Sequence, residues 1–397
     1  MARREYALVG AVWAVWVLAV LGVVVGGVAS GAITDPHASW VHYGGRLWPL
    51  FIWDYGWYHG IAMTGYPHDL TGPQYAFFPL WPEVLRASGS VPDWVAALGV
   101  ATVASALAFL GVAAASPSRR RLQAGVALAC WPGSFLLLLG YPDVIALAAA
   151  AWAAALAIRG RPWAAGLLAA VAAVARPTGF LIAIPLLFVT RSSWPGRVFA
   201  VLAPIAGAAA VTGYFWARSD DEFAFVHAQS LPIWARNGPS RLTKWPGHVW
   251  HAIGDHRLLV AVGVIVGAAV VVLVARRFGL IPAAVLAYLG VSGLLLLGAQ
   301  TPQTRIQSAI LALAVLMLVV LVRLGPLYWP WALFVAAILG ISVFSGSVTS
   351  FGRQALFAFP LYWAVADGPR PFRYPLVAVA AIAANVAFAL TLAKYAP

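Results

Sequence analysis

The chain has 397 residues, of which 62% are hydrophobic and 9% charged, and its mean hydropathy is +0.87. A soluble domain averages roughly 45–50% apolar residues, so this composition excludes an ordinary soluble fold and points to a polytopic membrane protein. The net charge of +13 does not signal nucleic-acid binding, because the basic residues sit in small groups between apolar runs, as orientation signals do.

The apolar runs are continuous, without the alternation of barrel strands, and therefore predict spanning helices of about 20 residues each. In chain order they cover roughly 7–28, 94–115, 122–140, 142–158, 163–175, 179–190, 198–216, 258–275, 280–299, 307–323, 328–345, 354–367 and 375–393. The stretch 163–190 reads equally as a helical pair or one broken helix. The first run is longer than the ~7–15 residues of a signal h-region, so it is expected to be retained as a span. The single cysteine, Cys130, excludes an internal disulfide and a cysteine-cluster metal site.

Lys and Arg placement sets an orientation. With the N-terminus in the cytoplasm, Arg3, Arg4, the Arg119–Arg121 run, Arg159, Arg161, Arg191, Arg197, Arg276, Arg277, Arg323, Arg370 and Arg373 all fall inside. The acids fall outside, apart from Glu5 and Asp367. Two outer loops are long, 30–93 and 218–257. Function concentrates in long loops held by a rigid scaffold, so the expected organisation is one integral membrane domain, 1–397, working at its external face.

The first outer loop contains "WDYGWYHGIAMTGY", residues 53–66. Read as a helix from Asp54, it places Trp53, Trp57 and Ile61 on one stripe and Asp54 and Tyr58 on a neighbouring one. Asp54 reads either as an N-cap at the membrane surface or as a carboxylate set among aromatics for chemistry. Downstream, "QYAFFPLWPEVLR" adds Phe77, Phe78 and Glu83.

Trp53-Asp54, Tyr58, Ile61-Ala62, Gly65-Tyr66 and "YAFFPLWP" resemble the first-loop signature of PIG-V-type mannosyltransferases. These enzymes add the second mannose in GPI-anchor assembly, and they have bacterial relatives. "WPGSFLLLLGYPD" (131–143), "ARPTGFL" (175–181) and "SFGRQALFAFPLYW" (350–363) fit the same family in order. Two departures stand out. Ile52 replaces a basic residue common before the Trp-Asp pair, and Asp143 replaces a more usual glutamate.

The resemblance implies an all-α GT-C-type bundle of about 11–13 spans that uses a polyprenyl-phosphate sugar. It implies no nucleotide sugar, and the chain carries no glycine-rich phosphate loop. Inverting transfer needs one carboxylate to take the acceptor proton. Phosphate leaves as a stable anion, so cations near it matter more than a general acid. Asp54 is then the expected base, in a low-dielectric aromatic setting suited to accepting a proton. Arg353, Arg176 and Arg305, each at the outer end of an apolar run, are expected to hold the donor phosphate. For each of the three, the blander alternative is snorkelling into lipid headgroups. Trp53, Trp57, Tyr58, Tyr66, Phe77, Phe78 and Glu83 are candidate substrate contacts.

Asp143, directly after "GYP", reads as an N-cap. "RSDDEFAFVH" (218–227) offers Asp220, Asp221 and Glu222 to a divalent ion, although a solvated loop is the plainer reading, and no cofactor is expected. The second loop's His227, His248, His251 and His256 lack zinc-ligand spacing, and Trp234 and Trp245 read as belt aromatics. The Ala-, Val- and Arg-rich usage suggests a GC-rich bacterial genome. The expected acceptor is then a glycolipid, cell-wall glycan or secreted protein at the plasma membrane. Glucose, galactose or arabinofuranose remain alternative sugars. A transporter or flippase of lipid-linked sugars is a rival from another class, disfavoured because acids avoid mid-span positions; a non-catalytic scaffold is a third.

Overall fold

The computed structural model describes residues 2–33, 43–68, 72–118, 120–233, 265–266, 269, 302–344 and 351–368. Among them there are helices and turns but no strand. The long α1 (Ala2–Ala29), α4 (Asp93–Ala115) and α9 (Trp194–Ser219) are each apolar enough to cross a membrane, as is the run Pro326–Phe344, which holds α12 (Trp329–Phe344). Shorter apolar helices pack between them: α6 (Asp143–Ile158), α7 (Pro162–Ala175), α8 (Ala183–Val189) and α11 (Pro302–Arg323). Of the expected span 258–275 only 265, 266 and 269 are described, and they are helical; the expected spans 280–299 and 375–393 lie outside the described residues.

Small residues let these helices approach closely, the main packing device where lipid removes the hydrophobic drive between spans. A Cβ on Gly111 of α4 would come within 2.9 Å of the Trp152 ring on α6, and one on Gly207 of α9 within 3.0 Å of the Ala170 carbonyl on α7. Indole N–H groups supply cross-helix hydrogen bonds: Trp13 donates to Ser105 Oγ at 2.9 Å, and Trp16 to Ser134 Oγ at 3.1 Å.

Proline decides where runs break. The expected span 122–140 is instead α5 (Arg121–Ala129) followed by a 3-10 turn, Ser134–Leu138. Pro132 cannot donate, and Gly133 takes a left-handed φ of 86° between them. The run 354–367 is likewise two pieces, α13 (Phe351–Leu356) and α14 (Pro360–Asp367). The Tyr362 hydroxyl donates to the Leu356 carbonyl at 2.8 Å across that break. The 163–190 stretch is a pair, with α7 ending at Ala175 because Pro177 disfavours helical backbone at Arg176.

Polar side chains collect at the two ends of α6. Beyond its last turn Arg159 donates to the Tyr6 hydroxyl, Arg121 pairs with Glu5 at 2.7 Å, and Asp367 accepts from Ser118 and Tyr328. At its first residue Asp143 meets two arginines. Sixteen residues of α6 separate the groups by about 24 Å, close to the ~30 Å hydrocarbon thickness of a bilayer.

Candidate active site

Four stretches remote in sequence converge at the Asp143 end of α6. The first is α2 (Asp54–Thr64), which starts at the carboxylate. Trp53 precedes it with φ 55° and ψ −113°, a left-handed backbone that a bulky residue adopts only at a cost of about 1–3 kcal/mol. Trp53 Nε1 is also buried without a hydrogen-bond partner among the described residues. Trp53 holds the N-cap position, so Asp54 is the first residue inside α2, and its carboxylate is ion-paired with Arg353. The N-cap reading of Asp54 is thereby set aside.

The second stretch is "GYPD". The Gly140 N–H donates to the Leu50 carbonyl at 3.1 Å and the Tyr141 hydroxyl to the Ile52 carbonyl at 2.7 Å, which fastens the segment before Asp54. Gly140 has to be glycine, because a Cβ would come within 2.6 Å of the Tyr55 ring. Asp143 is not the N-cap expected from its position. Pro142 occupies the N-cap, and the Asp143 side chain, 5% exposed, pairs with Arg176 and lies 3.4 Å from Arg353 Nε. A lone buried carboxylate is costly without such partners.

The third and fourth carry the two arginines. Arg176 leaves α7 in extended backbone, φ −151°. Its Nε donates to Thr178 Oγ1 at 2.9 Å, and the Gly179 N–H donates to its carbonyl at 2.9 Å. Arg353 lies on α13, anchored where the Gly352 N–H donates to Gln307 Oε1 of α11. Each guanidinium also faces a ring, Arg353 over Tyr141 at 5.3 Å and Arg176 over Phe357 at 5.7 Å. Burial works against the charge on Arg353, but Asp143 and Asp54 outweigh it and raise its pKa well above the ordinary value. Burial, opposed by Arg353 and reinforced by Asp54, raises the Tyr58 phenol, which therefore stays protonated as a donor.

The other expected contacts divide. Tyr58 is buried in α2, with Phe77 edge-on at 5.0 Å, and Trp57 stacks on Phe77 at 5.8 Å, forming an aromatic wall beside the acids. Tyr66 donates to the Phe77 carbonyl and packs on Tyr75 and Phe215, while Phe78 packs on Phe215 and Phe225. These two bury apolar area in the core and do not line the cluster. Glu83 is half exposed and pairs with Arg86 at 2.7 Å, so it does not orient Asp54. Arg305 falls in α11, with its side chain outside the described ones, as are Asp69, Trp234, Trp245, His248, His251 and His256. Asp221 accepts from His227 and from the Phe223 N–H, a local turn. Tyr141 and Asp143 were missed as site residues, although the quoted "GYPD" contained the signal: a turn of fixed geometry ending in an acid.

The many-helix apolar bundle is that of an all-α polytopic membrane protein, and a family match makes it a glycosyltransferase of the GT-C type. The model of glycosyltransferase family 87 matches residues 72–299, more than half of the chain. The chain belongs to that family. Asp143 and Arg176 lie inside the matched stretch; Asp54 and Arg353 lie outside it. No curated protein and no solved structure matches the chain.

Proposed function

We propose that this membrane glycosyltransferase moves mannose from a polyprenyl-phosphate donor to a hydroxyl of a glycolipid, glycan or protein, inverting the anomeric centre at the extracytoplasmic face. Asp54 is the base in this reading. The observation that carries it is the convergence of Asp54 with Arg353, 299 positions away, at the end of the bundle where Asp143 and Arg176 also meet. A carboxylate for the acceptor proton and cations for the leaving phosphate are the two parts the chemistry needs. The PIG-V-like motifs supply Asp54, Arg176 and Arg353, which supports mannose within the family. Charge placement supports the outer location, the N-terminus then being cytoplasmic and the loop 30–93 extracytoplasmic.

A lipid-linked donor also has room for its tail. An apolar groove of about 450 Å³ runs between α4, α6 and α7, lined among others by Gly99, Val103, Ile145, Trp152 and Val171. Ile145 is two residues from Asp143 along α6 and Val171 five from Arg176 along the chain, so the groove reaches the same end of the bundle as the polar cluster.

The test is transfer from labelled polyprenyl-phosphate mannose by wild type and Asp54→Asn in detergent. A fall of about 10²–10⁴-fold with unchanged folded yield is expected. Full activity in the variant removes Asp54 as base, and transfer from a nucleotide sugar removes the lipid-phosphate donor. Glucosyl, galactosyl and arabinofuranosyl donors run in parallel decide the sugar.

A further inference from the structure

Asp54, Arg353, Asp143 and Arg176 carry two negative and two positive formal charges in contact, and the arginines expected to await a phosphate are already paired with carboxylates. The base and the phosphate site therefore share one guanidinium. Building on the reading of Asp54 as the base, we propose that Arg353 exchanges partners during the reaction, Asp54 in the free enzyme for the donor phosphate in transfer, and that Asp143 is the positioning residue on which it pivots.

The charge balance of the step requires such a partner. The acceptor oxygen forms its bond to the anomeric carbon, and its proton passes to the Asp54 carboxylate. The bond from that carbon to the phosphate oxygen breaks, leaving its electron pair on phosphate. Asp54 loses one negative charge and the phosphate gains one, so the pocket's net charge is unchanged while the negative charge moves. A guanidinium presents donors on several edges of one plane. Arg353 uses one terminal nitrogen on Asp54 and sets Nε 3.4 Å from Asp143. It can therefore turn its remaining edge to phosphate without being released from both acids. Asp143 is fixed on its other side by Arg176, and Arg176 in turn donates to the Arg353 carbonyl at 3.4 Å. The Tyr141 ring below Arg353 supports the plane without fixing its in-plane angle. Among the described residues Arg353 pairs with Asp54, Tyr58 and Tyr141 also lie within electrostatic reach of it, and Asp143 and Arg176 act on the same Arg353 and Tyr58.

Competition between Asp54 and phosphate for Arg353 gives a binding signature independent of turnover. Farnesyl phosphate, titrated by calorimetry in detergent, should bind Asp54→Asn at least about five-fold more tightly than wild type, because the amide no longer holds the guanidinium. It should bind Arg353→Ala more weakly than either. Equal or weaker binding to Asp54→Asn overturns the exchange, even if that variant is inactive and the base assignment stands. An active Asp54→Asn overturns the base assignment instead. For the pivot, Asp143→Asn removes a negative charge beside the Asp54–Arg353 pair, and the acid limb of its pH–rate profile should move to lower pH. Asp143→Glu, which keeps the charge, should restore the limb. A limb that stays in place in Asp143→Asn reduces Asp143 to a structural role and overturns the pivot; should that variant not fold, an acid limb displaced in Asp143→Glu overturns it equally.

Discussion

Gly179 of "ARPTG" is where a single methyl group should do the most damage to the arginine turn. A Cβ built there falls well inside contact with the carbonyl carbon and oxygen of Ala172 and 2.7 Å from the Ala173 nitrogen. These are backbone atoms of α7 and cannot rotate away. The same Ala172 carbonyl accepts the last α7 hydrogen bond, from the Arg176 N–H at 3.2 Å, and the Gly179 N–H closes the turn onto Arg176. Relieving the clash means opening that turn by more than an ångström, which loses both hydrogen bonds at about 1 kcal/mol each. Overpacking adds about 1–3 kcal/mol. Gly179→Ala should thus cost roughly 3–5 kcal/mol and carry Arg176 off Asp143. A displacement of that size near a reacting centre costs on the order of 10²-fold in rate. The assay pairs thermal unfolding in detergent with transfer activity. Gly213→Ala is the control: it sits in the interior of α9, a Cβ there meets nothing within 4 Å, and the change should stabilise by up to about 1 kcal/mol. If Gly179→Ala matches wild type in melting and rate, the close approach of the 177–182 turn to α7 is not what holds Arg176.

The apolar groove between α4, α6 and α7 gives a second expectation. A Cβ on Gly99 meets no atom within 4 Å, so Gly99→Leu should grow into the groove without backbone strain. The apparent KM for a long-chain polyprenyl donor should rise several-fold, while a short farnesyl-linked donor is little affected; equal effects on both would place the tail elsewhere. At the opposite end of the bundle, Asp367 is 5% exposed on its side chain and accepts from the Tyr328 hydroxyl at 2.8 Å and from Ser118. Asp367→Ala should destabilise by about 2–3 kcal/mol with donor KM unchanged, which a melting curve and a donor titration together check. A shifted KM would mean that the two polar ends are coupled through the bundle.

Composition alone settled the class, because 62% hydrophobic residues in continuous runs leave helical spans as the economical way to satisfy the backbone in lipid. The sequence also located the start of α2 at Asp54 and the break before Arg176, where proline leaves the chain little choice. Local pattern could not say what each charged side chain faces. Asp143 reads as a cap because an acid at a helix start is stabilised by the helix dipole wherever it lies, and only packing of α6 against the arginine turns shows it buried between two guanidiniums. Tyr66, Phe78 and Glu83 share the motif with Asp54, yet the turn between α2 and α3 (Leu80–Arg86) sends the first two into the core and the third to Arg86. The ion pair joining Asp54 to Arg353 spans nearly the whole chain. Contacts of that range depend on how helices far apart in order stack side by side, and no local run of residues encodes it.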